Sequence, residues 1–360
     1  NNNALPLKTE KKISLFGARS YDPVTGGTGS GGGGGNYVTL PDSLEAAGFE
    51  VNSKVKACYE ANPNVAETGA EGYKAQTVEN DISVLNSAQT SYRYYNDAAI
   101  ITIARTGGEG ADLYVQNLYS HSDKTEHYLE LNDNEKALIE HVKANFDKVI
   151  ILLNIANPME LGELQEDEGI DAILWIGQPG ITGLNAVGRI LNGEVNPSGR
   201  LVDIYAFDFT KDPTWKNFGT LKQFNTIDPV TGEIIEGTDV YDTHVRYYNS
   251  AEKAVTTIKI DNPMFTAETI EYEEGIYLGY KYYETAAAEA AAGNYEGFDY
   301  DEEVVYPFGY GMSYTTFEQT LVTTAEQFES AVNNANGLDV KIPVQVKVRN
   351  TGDVAGKEVV

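Results

Sequence analysis

The chain has 360 residues, 41% hydrophobic and 11% aromatic with 24 Tyr, and a formal net charge of −28; a packed core in more than one domain is within reach and disorder is not the default. So acidic a chain excludes nucleic acid and an anionic membrane surface as partners, because phosphate binding needs a basic footprint. Cys58 is the single cysteine, which excludes an internal disulfide and a cysteine-based zinc site, and no apolar run approaches the about 18 residues of a bilayer span.

In chain order, ISLFG (13–17) predicts a buried strand. After a Gly/Ser-rich stretch, TLPDSLEAAGFEV predicts a helix that starts at Thr39, carries Pro41 in its first turn and stops near Gly48. DAAIITIAR (97–105) is a strand, and NDNEKALIEHVKANF (132–146) a helix with Leu138, Ile139, Val142 and Phe146 on one face and its acids early. VIILLNIA (149–156) and DAILWIG (171–177) are strands, and GLNAVGRILNG (183–193) is a helix closed by Gly193. Continuous apolar strands alternating with helices predict a mostly parallel sheet covered on both faces.

From about 205 the sequence turns aromatic, acidic and loop-rich, with ETAAAEAAAG (284–293) as a short exposed helix. A third texture starts near Phe317. FEQTLVTT and KIPVQVKVRNTG, the second alternating Ile342, Val344, Val346 and Val348 into a turn at Asn350–Gly352, predict the opening strands of an all-β domain. The chain begins at Asn1 and its last residues, KEVV, fall inside a predicted strand, so it reads as an internal piece of a longer protein, for which the lack of a leader says nothing.

The chemistry-bearing candidates are few. His121, His127, His141 and His244 show no metal-ligand spacing and read as structural or surface residues. GGTGSGGGGG (26–35) satisfies G-x-G-x-x-G at 27–32. Eight residues separate it from the end of the first strand, however, and no Lys-Ser/Thr pair follows, so it reads as a loop rather than a nucleotide cradle. No Gly-x-Ser-x-Gly elbow is present. Glu109 remains, between Gly108 and Gly110 in ITIARTGGEGADL (101–113). A Glu between glycines is usually a solvated turn residue. This one falls just beyond the carboxyl end of a predicted parallel strand, where ligands of open α/β sheets bind, and the flanking glycines clear bulk for a large ligand.

ITIARTGGEGADL, GQPGITGLNAVGRILNGEVNPSGRL (177–201), YEEGIYLGYKYYET (272–285) and YPFGYGMSYTTFE (306–318) occur in that order. Together they resemble the second, α/β-sandwich domain of glycoside hydrolase family 3, the β-glucosidases and β-xylosidases. VKVRNTGDVAGKEVV resembles the first strands of that family's fibronectin type III-like domain. The resemblance covers nearly the whole chain and implies a flavodoxin-like (α/β)6 sandwich over 1–315, followed by a partial immunoglobulin-like sandwich over 316–360.

It also implies a retaining β-glycosidase in which Glu109 is the general acid/base, while the nucleophilic Asp comes from a barrel domain whose motifs this chain lacks. Family members exist with the barrel on either side of the sandwich domain. Asp112 occupies the family's Gly-Glu-Gly-x-Asp position and either holds the loop or touches substrate, loop-holding being favoured. Arg105 is better paired with Asp112 than with Glu109, because a cation beside the acid depresses a pKa that acid catalysis needs raised. Pro179, Gly180, Pro197, Ser198, Gly199, Pro307, Phe308, Gly309 and Gly311 read as structural, and the Tyr cluster at 277–283 as core rather than a wall of the sugar site. The implied partners are a β-glucoside, β-xyloside or oligosaccharide and the barrel of the same full-length chain, with no metal, no organic cofactor, no nucleic acid and no membrane. The rival class is a non-catalytic carbohydrate-binding or interdomain scaffold module.

Overall fold

A computed structural model describes residues 4–27, 36–63, 79–107, 127–215, 274–334 and 341–360, together with the backbone of four short strands between 226 and 259. The expectations for 28–35 and for Gly108, Glu109, Gly110 and Asp112 lie outside the described residues.

The apolar runs become strands of one sheet. In chain order the first part contains β1 (Lys12–Phe16), α1 (Leu40–Ala46), β2 (Glu50–Val51), α2 (Ser53–Ala61), α3 (Gln89–Tyr92), β3 (Ala98–Ala104), α4 (Asp133–Lys143), β4 (Val149–Asn154), α5 (Gly162–Glu166), β5 (Ala172–Trp175) and α6 (Asn185–Leu191). All five strands are parallel, in the order β2-β1-β3-β4-β5. That is the flavodoxin-like doubly wound order, and its direction of growth reverses between β1 and β3.

Strand periodicity divides the core into two layers. Phe16, Ala99, Ile101, Ile103, Ile151 and Leu153 pack on the face covered by α2 and α4, with Val55, Leu138, Ile139 and Val142. Ile13, Leu15, Ala98, Ile100, Ile150 and Leu152 pack on the other face against Leu40 and Leu44 of α1 and Val187 and Leu191 of α6. Both faces are dry, so β3 and β4 are buried at every residue.

The helix signals operate as local chemistry requires. Thr39 accepts from the Asp42 amide at the start of α1. Asn132 and Glu135 form a reciprocal capping box on α4. Where α1 crosses α6, the Gly188 amide donates to Ser43 Oγ at 3.1 Å, and a Cβ on Gly188 would run into the Ser43 carbonyl oxygen. Gly188→Ala should therefore push the two helices apart and destabilise by about 1–3 kcal/mol; an unchanged urea midpoint would contradict this.

The second part contains β6 (Tyr205–Ala206), β7 (Thr226–Ile227), β8 (Ile234–Ile235), β9 (His244–Asn249), β10 (Ala254–Lys259), α7 (Tyr280–Ala291), α8 (Tyr300–Glu303), β11 (Val304–Tyr306), β12 (Phe317–Leu321), α9 (Ala325–Asn333) and β13 (Val346–Asn350). Each strand pair here is antiparallel: β6 with β11, β7 with β8, β9 with β10, β12 with β13.

Among the described residues the parallel sheet has five strands, and the chain after α6 bonds through Leu201 to Gly309 and Tyr310. Two differences from the sequence expectations have physical causes. The helix expected at 284–293 starts four residues earlier, because Tyr283 and Ala286 are buried and draw the tyrosine turn into it. α9 interrupts the predicted β region. Its signal was a Thr324-x-x-Gln327 capping box.

Candidate active site at the carboxyl edge of the sheet

Ligands of open α/β sheets bind where the strand order reverses, beyond the carboxyl ends; here that is the crevice between the ends of β1 and β3. β1 leaves through Gly17, whose φ is 91° and whose Cβ, if present, would lie 2.5 Å from the Thr102 carbonyl oxygen. Only glycine permits this close passage of one strand exit over the neighbouring strand. Ser20, in the turn that follows, places its hydroxyl 2.6 Å from the Phe16 carbonyl oxygen and 2.6 Å from the Thr102 hydroxyl.

β3 leaves through Arg105, which is 1% exposed. Its guanidinium has five N–H donors, and the described residues occupy all five. Nη1 donates to Glu135 Oε1 at 2.6 Å and to the Ala104 carbonyl at 2.8 Å; Nη2 donates to Glu135 Oε2 at 2.8 Å and to the Glu130 carbonyl at 2.6 Å; Nε donates to the Tyr128 carbonyl at 2.6 Å. Thus Arg105 forms a two-pronged pair with Glu135, a partner that sequence reasoning did not identify, while Asp112 lies outside the described residues. Gly107 is the last described residue before the glycine-flanked Glu109.

A second buried carboxylate sits beside β1. Glu79 accepts from the Ala18 amide through Oε2 and from the Asn80 amide through Oε1, each at 2.9 Å. Burial pushes its pKa up to about 7, with the Glu135 charge adding to the rise; the two amide hydrogen bonds and Arg19 pull the other way. A raised pKa means that the folded state keeps this proton to higher pH than the unfolded chain. Stability from Glu79 is then full below the ordinary value of 4.5 and is lost as pH climbs to about 7. Wild type should have a lower urea midpoint at about pH 8 than at about pH 5 through this group, and Glu79→Gln should reduce the difference. Equal differences in the two proteins would contradict it.

The other strand exits are fastened to each other. Asn154, at the end of β4 and fully buried, accepts from the Val24 amide at 2.7 Å and donates to the carbonyls of Val24 and Gly177. The Gly180 amide donates to the Thr25 carbonyl. The base of the glycine-rich stretch is thereby tied to the Gly177–Gly180 turn, which accounts for that part of the motif structurally.

His127, Glu130 and Glu160 bring three ligand-type atoms within 4.8 Å of one another. His127 Nδ1 faces the Leu129 amide at 3.2 Å, so the ring proton belongs on Nε2, which lies 3.0 Å from Glu160. This is the tautomer of a histidine–carboxylate hydrogen bond, with the proton where a metal would have to sit. The ring packs on Trp215 at 4.8 Å between centroids.

The remaining motif residues build a joint. Asn196 accepts from the Ser313 hydroxyl and the Tyr314 amide and donates to the Ala355 carbonyl. Arg200 donates to the Gly311 carbonyl and pairs with Glu358 at 2.6 Å. Thr315 donates to Asn350 at 2.7 Å. The 196–200 and 311–315 motifs therefore hold the α/β layers against the β12–β13 pair. Within 277–283, Tyr283 is core, Tyr280 packs on Phe308, and Tyr277 is exposed. A cavity of about 520 Å³ runs along the open edge of β5, between Trp175, Tyr306 and Tyr310. It lies two strands away from the β1/β3 crevice, where the strand order reverses, so the crevice is the better candidate for chemistry.

Comparison with known proteins agrees with this architecture. The family model described as the glycosyl hydrolase family 3 C-terminal domain matches residues 1–280. A β-glucosidase of Ruminococcus albus is 31% identical over 370 residues, covering 100% of this chain and 30% of that protein. β-Glucosidase A of Butyrivibrio fibrisolvens is 27% identical, covering 99% and 38%. Among solved structures, a β-glucosidase from Paenibacillus barengoltzii aligns with a TM-score of 0.66 at 26% identity, over 98% of this chain and 31% of that one. β-Glucosidase 3B from Thermotoga neapolitana in complex with glucose aligns with a TM-score of 0.65 at 25% identity, over 99% and 40%. The chain thus spans about a third of the length of these relatives.

Proposed function

Because the chain belongs to glycosyl hydrolase family 3, whose C-terminal domain it carries, we propose that it supplies the general acid/base, Glu109, of a retaining β-glycosidase. The nucleophilic Asp belongs to a barrel domain of the full-length protein. The substrate is a β-glucoside with a terminal non-reducing glucosyl residue, in keeping with relatives named β-glucosidases.

In the first step the barrel Asp attacks the anomeric carbon, and the Glu109 carboxyl gives its proton to the leaving glycosidic oxygen. In the second step the Glu109 carboxylate takes a proton from water, whose oxygen displaces the Asp and releases the sugar. The two carboxyl groups of such a pair stand about 5–5.5 Å apart, and nothing requires one domain to carry both. No metal or organic cofactor takes part in these steps.

One observation carries the reading. The segment bearing Glu109 follows β3 at the reversal point of the sheet, where ligands of open α/β sheets bind. As glycines, Gly108 and Gly110 add no side-chain bulk on either side of Glu109 in the sequence.

The test uses the full-length protein with Glu109→Ala, a dinitrophenyl β-glucoside and azide. Azide needs no general base, so it should restore turnover and yield the β-configured glycosyl azide. Undiminished turnover of the variant without azide would instead favour the interdomain scaffold reading.

A further inference from the structure

The cavity beside β5 has a chemistry of its own. β5 is the outermost strand of the sheet, so one side of the cavity is a strand edge. Trp175, Tyr306 and Tyr310 line it with aromatic surface. Trp175 is 45% exposed, yet its ring is held, because Nε1 donates to the Ile155 carbonyl at 2.8 Å. Tyr306 and Tyr310 stack at 4.7 Å between centroids with 29° between their planes, and Tyr205 meets Tyr306 edge-on at 6.2 Å. An exposed ring fixed in one orientation has already lost the freedom that binding otherwise takes from it.

The polar lining is largely uncommitted. Among the described residues, the hydroxyls of Tyr205, Tyr306, Tyr310 and Ser198 and the Gln165 side-chain amide have no hydrogen-bond partner. The two charged residues of the lining are engaged: Asp171 accepts from the Val149 amide at 2.8 Å, and Arg200 pairs with Glu358. The cavity therefore offers ring faces and neutral donors and acceptors, but no free cation for an anionic ligand. A hydrocarbon chain would cover these polar groups without pairing them, which is costly. An added peptide strand would find only the four residues of edge from Ala172 to Trp175, and so few main-chain bonds. A pyranose satisfies both kinds of surface. Its hydroxyls exchange hydrogen bonds around the ring, and its C–H face lies against the negative face of an aromatic ring. The volume of about 520 Å³ falls within the range of ligand pockets.

We propose that this cavity is a second, non-catalytic carbohydrate site, which holds an uncharged chain of pyranose units with Trp175 and Tyr310 as stacking platforms. The site is independent of the acid/base role proposed for Glu109, since no group in it has to move a proton.

The experiment is native electrophoresis of the full-length protein through gels with and without soluble mixed-linkage β-glucan, alongside a reference protein that does not bind it. The glucan should retard the wild type. Trp175→Ala and Tyr310→Ala should each raise the dissociation constant, read from retardation against glucan concentration, about tenfold, as loss of an aromatic anchor does. Migration in glucan-free gels should stay unchanged. Gln165→Ala, at an exposed position where folding is not at stake, should weaken retardation about threefold through the lost hydrogen bond. Glu109→Ala should be retarded as the wild type is. No retardation of the wild type, or equal retardation of the wild type and all three cavity variants, would overturn the proposal and leave the edge of β5 to an added strand. Retardation abolished by Glu109→Ala would overturn it too, by assigning the binding to the acid/base site. If Glu109→Ala keeps both the retardation and cellobiose hydrolysis, the acid/base reading fails and the second site stands.

Discussion

Glu109→Ala should lower kcat/KM of the full-length protein for cellobiose by about 10²–10⁴-fold, the range contributed by one positioned general acid. At 1.36 kcal/mol per tenfold, this is about 3–5 kcal/mol of transition-state stabilisation. The loss should depend on the leaving group. An alkoxide-like leaving group needs its proton in the transition state, whereas a dinitrophenolate leaves without one, so its kcat/KM should hardly move. The pH profile offers an independent check. A general acid acts only while protonated, so the alkaline limb of kcat/KM for cellobiose in the wild type reports the acid's pKa and should vanish in the variant. A variant that keeps that limb, or loses equally on both substrates, would remove Glu109 from the chemistry.

Arg105→Leu should destabilise the folded protein by about 3–5 kcal/mol, the usual cost of stripping one partner from a buried ion pair. Glu135 is then left charged in a site where its side chain is only 6% exposed, and the Tyr128 and Glu130 carbonyls lose the donors they take from Arg105. The charge term can be separated from the rest. Arg105→Leu combined with Glu135→Leu removes both charges, and replacing both members of a buried pair with apolar groups is often close to neutral. The double variant should therefore recover much of the loss, measured as urea unfolding free energy at neutral pH. The Asn132 capping box also loses Glu135 in that protein, which leaves a residual deficit of about 1 kcal/mol. A double variant less stable than Arg105→Leu would show that the unpaired charge is not the source of the cost.

The parts of this molecule that could be read in advance are those whose cause lies within a few residues. Thr39 with Pro41 announces the start of α1, and the early acids that of α4, because the signals of a helix start act within one turn. The strands at 98–104 and 149–154 are legible because burial on both faces demands uninterrupted apolar residues. Glu109 stands out because a carboxylate between two glycines past such a strand is chemically conspicuous, and the surrounding motifs identify the family.

For Arg105 the local reading favoured Asp112 over Glu109, and Asp112 lies outside the described residues. The carboxylate that receives its fork is Glu135, 30 residues away at the start of α4, and no nearby pattern marks it as that partner. Glu79 offered no pattern at all, since nothing in its neighbours reveals that it will be buried against the end of β1.

By itself, then, the amino-acid sequence determined the secondary elements, the two-faced parallel sheet, the family and the acid proposed for catalysis, because periodicity, capping and motif chemistry are short-range. Tertiary structure alone decided the β2-β1-β3-β4-β5 order, the pairing of Arg105 with Glu135, the Asn154 tie between strand exits and the divergence of the chain after α6 from the sheet edge. Each of these depends on which crossover lands beside which strand. That outcome is set by the joint packing of both layers over the sheet, and no window of neighbouring residues contains it.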